Sequence, residues 1–206
     1  MAHHPSVVTI TLSMHHHSQV NRIIALDVRS KTLAHTVLDG PWQLLDFGVS
    51  GSTHPGFQAS RVEKLVRKFQ PHVIVLRKVP AGSKRDNPAV QAAIKSIHSQ
   101  ARRLAVPLVS LEKQLIDQTF RRHCKPTKAP IAQLLSACFP VLQWYVPRER
   151  KIWMPEDRKM QYFDATALGM TYFATSGDAE AVQQLLSETA SRNGLHKNDV
   201  MPTETS

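Results

Sequence analysis

Three aspartates and their neighbours are the residues here that could do chemistry. Asp27 closes a short apolar run, Ile23-Ile24-Ala25-Leu26-Asp27-Val28. A carboxylate at the end of a strand buried on both faces can point into a cleft beside the sheet, and such hard oxygen ligands suit Mg²⁺ or Mn²⁺. Two such ions can activate a water and stabilise the leaving oxygen of a phosphodiester. Asp164 stands in Phe163-Asp164-Ala165-Thr166-Ala167-Leu168-Gly169, where a carboxylate is costly unless it is paired or metal-bound. Asp157 lies seven residues earlier, nearly two helical turns, so on one helix running from about Glu156 to Thr175 the two acids share a face. Simpler readings stand beside these: Asp27 as a cap or turn residue, and Asp157 as an acid that favours a helix start.

Charge supplies the second clue. Lys and Arg number 26 against 16 acids, a net charge of +10, and such a surplus points to an anionic partner. Nucleic acid is the expected partner, DNA ahead of RNA. The candidate phosphate contacts are Arg77 and Lys78 at a strand end, Arg121, Arg122, Lys125 and Lys128 in the most basic stretch, and Arg150 and Lys151 further on. Arg77, Lys78, Lys84 and Arg85 fall at or just after a strand end, where open α/β sheets commonly bind ligands. Interleaved Trp144, Tyr145 and Trp153 either stack on bases or plug a core.

The elements that must hold these residues can be read from periodicity. Apolar runs predict strands at 22–27, 33–38 and 42–49, and Asp39-Gly40 is a hairpin signal between the last two. Helical spacing over 59–69 is ended by Pro71, and 72–79 is a further buried strand around Val73-Ile74-Val75-Leu76. Asn87-Pro88 reads as an N-cap followed by proline in the first turn, opening a helix that Pro107 closes before a short strand at 108–111. Ile131 to Cys138 predicts a short helix, and the helix at 156–175 follows a Pro-, Arg- and Trp-rich connection. The order β-β-β-α-β-α-β-α-α is a mixed five-stranded sheet, three strands antiparallel and the rest parallel, flanked by helices. Residues 1–20, with His15-His16-His17, read as a tail that could hold a metal loosely, 21–176 as the folded domain, and 177–206 as a weakly helical or disordered tail.

Other classes are set aside. No run of apolar residues is long enough to span a membrane and no secretory leader is visible, so a cytoplasmic location without a membrane partner is expected. Cys124 and Cys138 lack zinc or disulfide spacing. An ATP-using actin-like or sugar-kinase-like protein would need Gly-rich phosphate loops, and Asp27-Val28-Arg29-Ser30-Lys31-Thr32 is not one.

The run at 23–28, the segment at 163–169 and the order of elements between them resemble the RuvC-type Holliday junction resolvases of the ribonuclease H-like superfamily. The resemblance implies two-metal phosphodiester cleavage with Mg²⁺ or Mn²⁺, with Asp27 and Asp164 as ligands and Asp157 as an auxiliary one. It also implies action on branched DNA and a homodimer. Three departures are visible. Val28-Arg29 follows the first Asp where the family has Pro-Gly, Gln161 replaces an acid three residues before Asp164, and the end of the fourth strand is Arg77-Lys78 where the family has a Glu. Arg77 or Lys78 would then neutralise site charge or grip a phosphate. The expected function is therefore a metal-dependent RuvC-like endonuclease; the alternative is a catalytically degenerate nucleic-acid-binding protein of the same fold.

Overall fold

The structure, a computed structural model, describes residues 21–51, 55–148, 153 and 155–195. Strands β1 (Arg22–Val28), β2 (Thr32–Asp39) and β3 (Gln43–Gly51) form an antiparallel meander. Helix α1 (Pro55–Phe69) leads to β4 (Val73–Arg77), which pairs parallel with β1. Helix α2 (Pro88–Arg103) then leads to β5 (Leu108–Leu111), parallel to β4. The sheet order is β3-β2-β1-β4-β5, so β1 lies in the middle. The remaining helices are α3 (Lys113–Phe120), α4 (Lys128–Cys138), α5 (Met160–Thr175) and α6 (Ala179–Arg192), with a 3-10 turn over Pro140–Tyr145. This is the mixed five-stranded sheet flanked by helices that the sequence led us to expect.

Local chemistry explains several boundaries. Gly40 takes φ +63 in the β2–β3 turn, a conformation that favours glycine. The Asn87 side chain accepts a hydrogen bond from the Val90 amide at 3.0 Å, with Pro88 in the first turn, so α2 opens as the sequence predicts.

Strand alternation divides the core into two layers. Ile24 and Leu26 of β1 and Ile74 and Leu76 of β4 face α1 and α2, where Val62, Leu65, Val90 and Ile97 meet them. Ile23 and Ala25, with Val73 and Val75, face α4 and α5. Asp27 and Arg77 extend this second row by one alternation each, so both point toward α5. Helix α5 lies close to the sheet because Gly169 has no side chain: a Cβ there would stand 2.6 Å from Leu38 Cδ1 and 3.4 Å from Ala25 Cβ. Buried hydroxyls pin the same helix to β2, with Thr36 and Thr166 oxygens 3.1 Å apart and Thr32 donating to Gln161 at 2.6 Å.

Three expectations need correction. Helix α5 begins at Met160, not near Glu156; Pro155 to Asp157 are non-helical, so Asp157 and Asp164 do not share a helix face. Helix α3 was not expected, because its apolar positions are few and sit beside a basic stretch. The folded unit also continues past 176: Val182, Leu186 and Ala190 of α6 are fully buried in the α4–α5 layer, and a segment that buries such a stripe is part of the domain. The proposed tail at 1–20 lies outside the described residues. No helix among the described residues is long and apolar enough to cross a membrane.

Candidate functional site

Parallel pairing of β1 with β4 matches Ile24 with Ile74 and Leu26 with Leu76. One step beyond, Asp27 and Arg77 end neighbouring central strands side by side on the α5 face. Asp164, one turn into α5, closes over them. The structure thus brings together Asp27 and Asp164, as the sequence suggests, but it brings cations with them.

Asp27 is completely buried, and its two oxygens are taken by guanidinium groups. Arg85, from the loop between β4 and α2, donates Nη1 to Oδ1 at 2.6 Å. Arg29, two residues further along the chain, donates Nε to Oδ2 at 3.1 Å. The Arg29 Nη2 reaches across to Asp164 Oδ2 in a short contact and to Glu156 Oε1 at 3.3 Å. Arg29 therefore bridges the two aspartates. Lys128, the first residue of α4, donates to Asp164 Oδ2 at 3.1 Å and also to Glu156 Oε1. A cation is the wrong sign for a helix N-terminus, and these two acids explain why a lysine is tolerated there. Arg77 Nη1 stands 4.0 Å from Asp27 Oδ1. Four cations thus surround three carboxylates.

The titration of these groups follows from that geometry. Burial alone would raise the Asp27 pKa, but the neighbouring charges of Arg85, Arg29 and Arg77 outweigh it and hold the carboxyl below its ordinary value. Asp164 moves the other way, because burial and the nearby charge of Asp27 exceed the help from Lys128 and Arg29. Burial opposes the charge of Glu156, yet Lys128 and Arg29 bring its pKa down. Burial and the adjacent Arg85 lower the pKa of Arg77. Asp27 is thus the firmly ionised member of the pair.

These residues do not fit a divalent metal centre. Such a centre needs free carboxylate oxygens converging on one point, whereas here the inner oxygens already receive guanidinium donors. Arg77, on the face where a third acid would complete a ligand set, adds positive charge instead. Among the described residues, no group of three or more His, Cys, Asp and Glu side chains could hold a metal ion. Asp157 is exposed and apart from the cluster, its Oδ1 accepting from the Lys159 amide at 2.8 Å in a local turn.

The other residues named from the sequence divide. Arg77 and Lys128 belong to the cluster. Lys78 follows the end of β4 and donates to Glu112 at 2.7 Å, apart from the cluster. Arg121, Arg122 and Lys125 are exposed on the connection between α3 and α4. Arg150 and Lys151 lie outside the described residues. Trp144 is 85% exposed, whereas Tyr145 packs edge-on against Phe47 and Tyr162, a structural role. Arg29 is not among the ligands or phosphate contacts that the sequence singles out; its one signal is its position two residues after a buried acid. Arg85, which the sequence marks only as lying after a strand end, is one of the two guanidinium groups on Asp27.

With the sheet and site in view, the fold is ribonuclease H-like: a central strand ending in an acid, flanked by two antiparallel and two parallel strands, with an acid-bearing helix across it. Comparison with solved structures narrows this to the RuvC-type form. The chain is similar to T. thermophilus RuvC in complex with Holliday junction substrate, with TM-score 0.56 and 16% identity over 76% of this chain and 96% of that one. Another T. thermophilus RuvC structure matches at TM-score 0.56 and 15% identity, over 85% and 98%. The yeast mitochondrial Holliday junction resolvase Ydc2 matches at TM-score 0.53 and 12% identity, over 84% and 86%. No protein-family model matches the sequence, and no curated protein is similar to it by sequence.

Proposed function

We propose that this protein binds nucleic acid on a RuvC-type scaffold whose catalytic centre has been replaced by an internal ion-pair cluster. The observation that carries this reading is Arg29, whose guanidinium joins Asp27 to Asp164. A guanidinium is a permanent cation with a fixed fork of donors. It neutralises the two buried carboxylates without a dissociable ion, but it supplies no Lewis acid and activates no water. The surplus of basic side chains and the exposed Arg121, Arg122 and Lys125 support binding to a phosphate backbone. DNA, branched DNA in particular, is the preferred ligand in this reading, because the similar structures include one holding a Holliday junction substrate. A pair of copies on one branched substrate is the arrangement that a homodimer would provide.

The competing reading is a metal-dependent endonuclease, and the meeting of Asp27 and Asp164 at the strand end is what favours it. Binding and cutting of labelled four-way junction, duplex and single-stranded DNA and of RNA decide between them, each with Mg²⁺, with Mn²⁺ and with chelator. We expect affinity that ignores the metal and falls by roughly 10³-fold between about 50 and 200 mM salt if six or more phosphates are contacted. Metal-dependent cutting that disappears in Asp164→Asn overturns the binding-only reading and installs the nuclease.

A further inference from the structure

Above the two aspartates the cluster opens into a pocket of about 360 Å³. Its charged lining is Arg29, Arg77, Lys84, Arg85, Lys128 and Glu156. Five of these six are cations, and Asp27 and Asp164 lie beneath, occupied by Arg29, Arg85 and Lys128. Two of the five have charge to spare. Lys84 makes no ion pair with any described residue. Arg77 is recessed, with 14% of its side chain exposed, and its nearest carboxylate oxygen among the described residues is 4.0 Å away, too far for a hydrogen bond. A recessed guanidinium with unfilled donors is costly to bury and calls for an anionic acceptor.

Which anion follows from charge and shape. Exposed cations such as Arg121 and Arg122 are enough for the singly charged diesters of a passing backbone. A concave pocket with several converging donors suits a group that carries more charge and offers several free oxygens. A phosphate monoester does, with a charge of about −1.5 to −2 and three acceptor oxygens, and the planar fork of arginine matches those oxygens two at a time.

We infer that this pocket takes a terminal phosphate monoester, the phosphorylated end of a nucleic-acid strand, seated on Arg77 and Lys84 with Arg29, Arg85 and Lys128 behind them. The inference rests on the nucleic-acid reading above and adds a preference for strand ends.

The test compares one oligonucleotide in three forms, with a 5′-phosphate, a 3′-phosphate or hydroxyls at both ends, by fluorescence anisotropy. Inorganic phosphate and a nucleoside 5′-monophosphate are added separately while the melting temperature is followed. We expect one phosphorylated form to bind at least about tenfold more tightly than the hydroxyl form, the gain of one good charge-assisted contact. Arg77→Gln and Lys84→Gln should bring that ratio close to one. Arg121→Gln with Arg122→Gln should weaken all three forms together and leave the ratio standing. Lys84 is on an exposed loop, so its variant remains informative even if Arg77→Gln folds poorly. Equal binding of all three forms overturns the inference and leaves the nucleic-acid reading intact. If no oligonucleotide binds but inorganic phosphate raises the melting temperature of wild type and not of Arg77→Gln, the pocket stands, free phosphate is its ligand, and the nucleic-acid reading falls. If neither binds, both fall.

Discussion

At Gly169, α5 meets the sheet through apolar contact: Leu38, Ala25 and Ile23 fill the space that a side chain would take. Five residues earlier on the same helix, roughly 7.5 Å along its axis, Asp164 meets the same strand through Arg29 and Asp27. One contact is fixed by shape and the other by charge. Shape complementarity tolerates no added volume but needs no particular partner. The charged contact tolerates changes of volume but depends on each ion having its counterion. The charged end, where the central strand β1 stops, is filled with the protein's own cations.

The largest expected effect comes from breaking the charged end at its deepest residue. Asp27→Asn leaves Arg29 and Arg85 without their buried carboxylate, and removing one partner of a buried pair costs about 3–5 kcal/mol. Urea denaturation should show the midpoint falling by that free energy divided by the slope, with the slope itself unchanged. If Asp27→Asn costs nothing, the cluster is not held by these ion pairs and the comparison of the two ends collapses.

Breaking the apolar end should cost less. Gly169→Ala places a Cβ 2.6 Å from Leu38 Cδ1, which must move within a full core. Overpacking of this kind costs about 1–3 kcal/mol. In a Leu38→Ala background, itself destabilised by about 2–5 kcal/mol, the added cost of Gly169→Ala should be partly rescued, because the overlapping volume is vacated. Failure of that rescue would mean that Gly169 is needed for something other than close approach.

How legible these two ends were in the sequence differs for a physical reason. The strands, the hairpin at Gly40 and the cap at Asn87 announce themselves through local rules of periodicity and turn chemistry. Asp27 and Asp164 were legible too, because a carboxylate within an apolar run demands an explanation. The partners of those aspartates were not. Arg29, Arg85 and Lys128 come from a turn, a loop and a helix start, and no local pattern says which of 26 basic residues will converge on one point. Arg77 was the exception, since the family resemblance puts an acid at the end of that strand and the sequence has a cation there. Helix α6 was underrated for a similar reason: its stripe of Val182, Leu186 and Ala190 is short, and only the layer waiting for it makes it part of the core.

The smallest effect separates the two aspartates from each other. Asp27 has its pKa lowered on folding, so its ionisation stabilises the protein above its unfolded value, and that stability is lost as pH falls through the folded pKa. Asp164 has its pKa raised by burial and by the charge of Asp27, so the sign reverses. Its contribution is most favourable below its unfolded value and declines as pH rises through the higher folded one. On acidification Asp164 takes a proton first and Asp27 last. Asp164→Asn removes the charge that is least welcome and keeps an oxygen to accept from Arg29 and Lys128. It should therefore cost only about 1 kcal/mol or less at neutral pH, well below Asp27→Asn. Melting temperatures followed from acid to neutral pH check the assignment. Wild type should lose stability as pH rises through the Asp164 titration, and Asp164→Asn should lack that step while keeping the acid-side fall that belongs to Asp27. If the acid-side fall disappears instead, Asp164 is the firmly ionised member, and the bridge is anchored on the helix instead of the strand.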